Sequence, residues 1–206
     1  VLGGTAGNDT LIGDGGIDGI WGEGGDDYLN ARSEADQVFG GDGDDIIEDP
    51  FGNDLLRGEN GNDVISGGAG LDILFGGAGQ DFIVVGAETG EVFAGEGNDF
   101  LLGGNSNDVL MGNEGDDWIQ GGDGFDGLSG ENSELFFNSP IIGHDVLNGE
   151  NNDTDYDGES GDDIMVQGAG IQRSNGMLGF DWAIHKGDMV AANSDLGIPL
   201  IPTQPD

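Results

Sequence analysis

An aspartate recurs every nine residues along most of this chain. Counted from residue 9 in steps of nine, the series holds aspartate in thirteen of fourteen places, and Gly90 is the exception. Its members are Asp9, Asp18, Asp27, Asp36, Asp45, Asp54, Asp63, Asp72, Asp81, Asp99, Asp108, Asp117 and Asp126. Carboxylates that only keep a chain soluble have no fixed spacing. The series therefore indicates a counter-ion that neutralises these groups in the folded state.

The composition narrows the nature of that counter-ion. The 206 residues include 42 acidic and only 4 basic ones, two histidines and no cysteine, for a formal charge of −38. Oxygen ligands in excess, without sulfur, favour a hard cation, so calcium comes before zinc or copper. Phosphate groups would be repelled, which excludes nucleic acid as a partner and disfavours anionic membrane surfaces. No apolar run approaches the roughly 18 residues of a membrane-spanning helix, so no transmembrane segment is expected.

The aspartates belong to a nine-residue repeat that runs through residues 4–129 in fourteen copies. The eighth position is aliphatic in every copy, and the fourth is glycine in eleven. Six glycine-rich residues make a tight turn, and the next three make a short strand with the aliphatic side chain inward. One copy cannot bury that side chain alone, so copies must stack as in solenoids. The pattern predicts an all-β fold in which two copies, or eighteen residues, form one coil and the coils pair as parallel strands.

The copies resemble a known repeat. Residues 40–48 read GGDGDDIIE and residues 58–66 read GENGNDVIS. They are similar to the RTX, or repeats-in-toxin, nonapeptide of hemolysin-type proteins, Gly-Gly-x-Gly-x-Asp-x-U-x with an apolar residue at U. The resemblance implies a right-handed parallel β-roll of two short-stranded sheets, with calcium in the turns of both edges. Sixth-position carboxylates and turn carbonyls are the implied ligands.

This implied geometry divides the aspartates into two ladders. One ladder runs from Asp9 to Asp117 and the other from Asp18 to Asp126, each in steps of eighteen. A calcium ion between neighbours on the same edge gives roughly ten ions in total. Gly90 interrupts the second ladder. We expect a missing or poorly coordinated ion between the turns of Asp72 and Asp108.

The repeat changes after residue 129. We predict three parts: a regular roll over 1–129, an irregular continuation with a loop insertion over 130–166, and a C-terminal cap and linker over 167–206. Residues 130–139 contain one residue more than a copy, and Phe136 or Phe137 is the candidate for its core position.

Further aspartates follow where the frame resumes. Asp145, Asp163 and Asp181 lie eighteen residues apart, and we expect them to continue the second ladder as calcium ligands. The first ladder should lose its regular sites after Asp117.

A separate acidic segment lies at residues 153–158. Asp153, Asp155 and Asp157 match the first half of an EF-hand loop. The twelfth position is Ile164 rather than glutamate, and no helix-forming segments flank the loop, which disfavours a true EF-hand. A calcium loop of another geometry and a plain surface turn are the alternatives.

No constellation of catalytic residues stands out. His144 and His185 are isolated in the sequence, no serine lies in a Gly-x-Ser-x-Gly motif, and no P-loop lysine follows the glycine-rich turns. We predict no enzyme within this chain. The apolar copy at residues 176–184 is similar to segments that accompany RTX repeats in large bacterial proteins with an animal-type haem peroxidase domain.

Two apolar stripes are expected on the outside of the roll. Seventh positions of one sheet read Tyr28, Ile46, Val64, Phe82, Phe100 and Trp118, and ninth positions of the other read Trp21, Phe39, Arg57, Phe75, Phe93 and Met111. Such stripes serve either as docking surfaces for a neighbouring domain or another copy, or as in-register stacks between coils.

The function expected from these features is a calcium-binding module of a larger secreted bacterial protein. Export through a type I channel, as the resemblance implies, would be followed by folding on extracellular calcium. The alternatives are a self-assembling surface-layer, filament or adhesin segment, and an accessory module of a secreted peroxidase-like enzyme.

Overall fold

The computed structural model describes residues 1–131, 143–149, 154–158, 161–167, 173–175, 181–185 and 191–192. Within these residues every regular element is a β-strand, and no helix there is long and apolar enough to cross a membrane. The strands are β1 (Leu2–Gly3), β2 (Thr10–Ile12), β3 (Gly19–Gly24), β4 (Tyr28–Asn30), β5 (Gln37–Asp42), β6 (Ile46–Glu48), β7 (Leu55–Asn60), β8 (Val64–Gly68), β9 (Asp72–Ala78), β10 (Phe82–Gly86), β11 (Gly90–Glu96), β12 (Phe100–Gly104), β13 (Val109–Glu114), β14 (Trp118–Gly122), β15 (Asp126–Ser129), β16 (Val146–Asn148), β17 (Thr154–Asp157), β18 (Ile164–Gln167), β19 (Arg173–Asn175), β20 (Trp182–His185) and β21 (Ala191–Ala192).

Successive strands alternate between two sheets. The odd-numbered strands β1 to β19 form the first sheet, and the even-numbered strands β2 to β20, followed by β21, form the second. The register is constant through the regular part, because Leu29 pairs with Ile47 and Ile47 with Ile65, eighteen residues per coil. This arrangement confirms the predicted all-β fold, a parallel β-roll with two sheets of short strands.

The core is a single file of eighth-position side chains from each sheet. Strand side chains alternate between faces, so the eighth-position residue points inward and the residues on either side of it point outward. Thirteen such residues are at most 2% exposed: Ile20, Leu29, Val38, Ile47, Leu56, Ile65, Leu74, Ile83, Val92, Leu101, Leu110, Ile119 and Leu128. Each coil thus buries only two large aliphatic groups between its sheets.

The connection from β15 to β16 corrects the predicted course of the chain. Ile119 pairs with Leu147 and Leu128 with Tyr156, each twenty-eight residues apart instead of eighteen. Strand β14 pairs directly with β16, so no strand lies between them in the second sheet. The connection contains ten extra residues rather than one. Phe136 and Phe137 lie outside the described residues.

Strand β17 differs from the predicted loop. Asp155 and Asp157 belong to this strand, which pairs with β15. Calcium binding by these residues stays a prediction. Tyr156 between them takes the core position, 2% exposed, and its hydroxyl donates to the carbonyl oxygen of Val166 at 3.0 Å. Asp153 lies outside the described residues.

The last pairing differs from all the others described. Strand β21 runs antiparallel to β20, with Ala183 opposite Ala192. It covers the open edge of the second sheet, a device that blunts strand-to-strand association. Of the apolar copy at residues 176–184, only the part from Asp181 onward is described. The division of the chain at residues 129 and 166 stays a prediction.

The outer stripes form stacks between coils. Phe82, Phe100 and Trp118 stack in sequence on the second sheet, with ring centroids 5.3 and 6.1 Å apart. On the first sheet the guanidinium of Arg57 lies 4.4 Å from the ring centroid of Phe75 and 6.0 Å from that of Phe39. In-register stacking is therefore present, whether or not a partner also docks there.

Candidate metal centres

Each sixth-position aspartate ends a turn and links two coils. The backbone N–H of Asp45 donates to Oδ1 of Asp63 at 2.8 Å, and the N–H of Asp63 donates to Oδ1 of Asp81 at the same distance. The carbonyl oxygen of Asp45 accepts from the N–H of Val64, which opens the next strand of the same sheet. One residue type thus caps a turn and fixes the register of the following coil.

These bonds show the membership of the first ladder. The N–H of Asp117 donates to Oδ1 of Asp145 at 2.8 Å, across the long connection. The N–H of Asp145 donates to Asp163, and that of Asp163 to Asp181. Asp145, Asp163 and Asp181 therefore continue the first ladder, not the second as predicted. On the second edge, Asp126 is followed by Thr154.

The second carboxylate oxygen of most ladder members has no hydrogen-bond partner. These Oδ2 atoms are buried, and each residue is at most 3% exposed. The thirteen aspartates concerned are Asp27, Asp36, Asp45, Asp54, Asp63, Asp72, Asp81, Asp99, Asp108, Asp117, Asp126, Asp145 and Asp163. A buried polar atom without a partner costs on the order of 1–3 kcal/mol, and more when it is charged. A repeated set of such atoms indicates a series of binding sites for a cation.

Asp9 and Asp18 differ from the other members. Oδ2 of Asp9 accepts from the backbone N–H of Thr5 at 2.6 Å, and Oδ2 of Asp18 accepts from the N–H of Asp14 at 3.1 Å. Both residues are only partly buried. Their carboxylates are therefore satisfied within their own turns.

The turn backbone brings further oxygens to each carboxylate. A β-carbon on Gly58 would overlap both Oδ2 of Asp63 and the carbonyl oxygen of Gly76 in the next coil. A side chain at Gly58 would fill the space that these two oxygens face, so glycine at this residue leaves that space open. Carboxylate and carbonyl oxygens around a small enclosed space are the donor set that calcium takes, and the residues present fit that ion.

Burial raises the pKa values of these carboxyl groups. It raises the pKa of Asp63 and Asp99 to about 7, and the N–H donated from the preceding coil offsets only part of the effect. The pKa of Asp145 rises to about 8, mainly by burial and further through the charges of Asp117, Asp163 and Glu131. Without a cation, the folded turns hold such groups in their charged form only at a cost in free energy.

The second ladder is interrupted as the sequence indicated. The side chain of Val85 lies against the α-carbon of Gly90 and is 1% exposed. Gly90 supplies no carboxylate to the N–H of Asp72, although its own N–H still donates to Oδ1 of Asp108 at 2.9 Å. The register is kept, while one carboxylate is replaced by an apolar group. A missing or poorly coordinated ion there stays a prediction.

A polar series at the fifth position was missed in the sequence. On the first edge, the N–H of Asn62 donates to Oδ1 of Asp44 at 2.8 Å, and the N–H of Gln80 to Oδ1 of Asn62 at 2.9 Å. His144 joins this series, because its Nδ1 accepts from the N–H of Asp162 at 2.9 Å. The series could have been found by comparing residues eighteen apart. Every fifth position of the first edge is polar, whereas those of the second edge include both polar and apolar residues.

Two parallel sheets joined by turns that bury one carboxylate per copy define a calcium-binding β-roll. Residues 3–38, 21–48, 51–83 and 93–128 match the profile of the RTX calcium-binding nonapeptide repeat, and together they cover more than half of the chain. The chain belongs to this family, whose roll is a structural calcium-binding fold and not a catalytic one. A comparison with curated proteins finds no match.

Proposed function

We propose that this chain is a calcium-responsive module of a larger secreted bacterial protein, which folds when it meets extracellular calcium after export. The observation that carries the proposal is the set of buried Oδ2 atoms without partners. RTX repeats are typical of secreted bacterial proteins, which supports the location. We propose no catalysis within the chain itself.

The energetics favour a fold that depends on the ion. Each coil buries two large aliphatic side chains, which is little to set against the conformational entropy of eighteen residues. The formal charge of −38 adds self-repulsion in the compact state. Ions that bind only the folded chain stabilise it by mass action at every site. Calcium at the millimolar level outside cells would then shift the equilibrium towards the roll.

The proposed ligands are the sixth-position aspartates together with turn carbonyl oxygens. Nine successive pairs lie on the first edge, from Asp9 with Asp27 to Asp163 with Asp181. Four lie on the second edge, on either side of Gly90. Asp9 and Asp18 satisfy their Oδ2 atoms locally, so the pairs that include them should bind less well. We propose roughly ten calcium ions in total.

Circular dichroism during a calcium titration tests the folding switch. We expect little β signal in chelator, a cooperative rise with calcium, and full reversal when chelator is added again. Magnesium at the same concentration is the control, because it demands near-ideal octahedral geometry and dehydrates reluctantly. A full β signal in chelator at neutral pH would show that folding does not depend on calcium.

Self-assembly is a second candidate, favoured by the apolar stripe on the second sheet. Ile46, Val64, Phe82 and Trp118 are each 39–44% exposed despite the stacking. A continuous apolar stripe on a soluble chain often marks a contact surface. Sedimentation velocity in calcium across a hundredfold range of concentration tests this candidate. A monomer throughout that range would leave the stripe with a stacking role only.

A further inference from the structure

The first position of each copy is an inward slot beside the carboxylate of the same copy. Glycine occupies most of these slots, and the exceptions in residues 4–129 are Ala31, Asp49, Val85 and Ala94. All four are at most 1% exposed. Asp49 is the one charged side chain among them, and the repeat pattern assigns it no role.

Asp49 adds a third carboxylate to the second edge. One oxygen from each of Asp36, Asp49 and Asp54 lies within 4.8 Å of the other two. Asp36 and Asp54 are successive ladder members, joined by the bond from the N–H of Asp36 to Oδ1 of Asp54 at 2.8 Å. Two oxygens bound to the same calcium ion at about 2.3–2.6 Å lie at most about 5 Å apart. The three oxygens therefore fit the coordination sphere of a single ion.

The hydrogen bonding of Asp49 is an independent sign of a ligand. The residue is 1% exposed, and neither of its carboxylate oxygens accepts a hydrogen bond of ordinary length and angle, although the backbone N–H of Phe51 and the carboxylates of Asp36 and Asp54 lie close to it. The Oδ2 atoms of Asp36 and Asp54 are also buried without such a hydrogen bond. Among the described residues, no lysine or arginine forms an ion pair with any of the three. Leaving a buried carboxylate without an opposite charge is costly in free energy, and a bound cation would remove that cost.

The turn backbone places another oxygen beside this cluster. A β-carbon on Gly52 would overlap both the carboxylate of Asp54 and the carbonyl oxygen of Glu34. Glu34 has a φ of 74°, a left-handed conformation that non-glycine residues seldom adopt. This conformation places the carbonyl oxygen of Glu34 where the fourth-position glycine places its own carbonyl oxygen in other copies.

We propose that Asp36, Asp49 and Asp54 together form a three-carboxylate calcium site, the tightest site of the roll and the first to fill. The inference rests on the proposed function, since it takes the ladders as calcium sites. Affinity for calcium rises with the number of charged ligands, and among the described residues these three are the group whose carboxylate oxygens all lie within 4.8 Å of one another. Asp49 is the additional ligand, and it lies outside the nonapeptide pattern.

Calorimetric titrations with a chelator, started from the calcium-folded 206-residue chain, test the assignment. We expect one wild-type ion to bind with a Kd at least tenfold below the others. Asp49→Asn, which keeps the shape without the charge, and Asp49→Gly, which restores the usual residue, should both lose this class and keep the remaining ions. Asp42→Asn removes an exposed charge from a neighbouring turn and should leave the tight class unchanged.

Two results would overturn the assignment. One is a tight class that persists in both Asp49 variants, and the other is an additional bound ion in Asp49→Asn, which would mean that Asp49 occupies the place of the ion. Circular dichroism on the same samples tests the proposed function, which is folding on calcium, separately from the site. If wild-type folding ignores calcium, the function fails; if calcium folds every variant with the same tightest Kd, only the site fails.

A second measurement needs no variant. One equivalent of Tb³⁺, a probe for hard-cation sites, is added to the wild-type chain already folded in calcium, and crystals are grown from that mixture. We expect the strongest anomalous peak between the carboxylates of Asp36, Asp49 and Asp54. A strongest peak between any other ladder pair contradicts the proposal.

Discussion

The side chain of Val85 lies against the α-carbon of Gly90, in the reverse of the arrangement found in other copies. In most other copies a glycine at the first position lies against an aspartate at the sixth, as Gly58 does against Asp63. The exchange keeps the volume of the turn filled while it removes a charge. The interruption of the second ladder is thus a packed apolar plug rather than a void.

Restoring the usual pair should restore calcium binding at the plug. Gly90→Asp alone is expected to destabilise the roll, because the new β-carbon meets Val85. Val85→Gly alone leaves a cavity and should cost about 2–3 kcal/mol. The double variant is expected to bind up to two more calcium ions than wild type and to unfold at a higher temperature in calcium. Calorimetric stoichiometry and thermal melts measure both effects, and a double variant no better than the sum of the single ones would contradict them.

Asp63→Asn should have opposite effects with and without calcium. In calcium it weakens ligation between its neighbouring coils, and we expect a loss of about 2–3 kcal/mol, the stabilisation that one ion gives at roughly a hundredfold its Kd. In chelator it removes a buried carboxyl group whose pKa is raised to about 7, and the free energy of unfolding should increase. Urea unfolding in each condition measures the change. Asp14→Asn, at an exposed turn position, is the matched control and should change neither.

Without calcium, the stability of the roll should fall as the pH rises. The pKa values of Asp63, Asp99 and Asp145 lie at about 7 to 8 in the folded roll, above the value of about 4 for unfolded aspartate. The folded state therefore binds more protons than the unfolded state in this interval, and stability is lost as the pH rises through it. Circular dichroism in chelator should show more β signal at pH 5 than at pH 8. The reverse order would contradict the raised pKa values.

Calcium should reverse that trend. Protons and calcium compete for the same oxygens, so calcium affinity is expected to increase from pH 5 to pH 8 and then to level off. Titrations at fixed ionic strength measure this directly. A calcium affinity that is independent of pH over that interval would mean that the ladder carboxylates are not the ligands.

Arg57 should contribute to stability through its place in the stack between Phe39 and Phe75. Arg57→Ala is expected to cost about 1 kcal/mol, the value of a partly exposed cation–π contact with its packing. Arg57→Phe completes the aromatic stack and should retain the stability, whereas Arg57→Lys keeps the charge without the planar group and should behave more like alanine. Thermal melts in saturating calcium compare the three. Equal melting temperatures for all of them would show that the stack does not stabilise the roll.

The repeat length explains how much of the fold could be predicted. The period of nine residues located the core position, as with Ile47 and Ile65, and the sixth-position carboxylates of residues 9–126. The interruption at Gly90 was also visible, since one residue broke an otherwise unbroken series, whereas the packing of Val85 against it was not. These features depend on local residue type, which a sequence states directly.

The ladder of Asp145 could not be assigned in the same way. An insertion of ten residues and one of a single residue leave the same phase in a period of nine, and they differ only in the edge on which Asp145 lies. Pairing between Ile119 and Leu147 decides this, and pairing is a non-local contact. Asp49 was overlooked for another reason. A single acidic residue is not distinctive in an acidic chain until the structure shows that the first position of the repeat is buried.

The direction of the bond from Asp45 to Asp63 gives each coil two unlike faces. A coil offers its N–H to the coil that follows and its carboxylate to the coil that precedes. Coils can therefore add to one another in a single orientation, as subunits do in a polar filament. Two rolls that meet through like ends would place N–H groups opposite N–H groups, or carboxylates opposite carboxylates. Only head-to-tail contact would continue the ladder of hydrogen bonds.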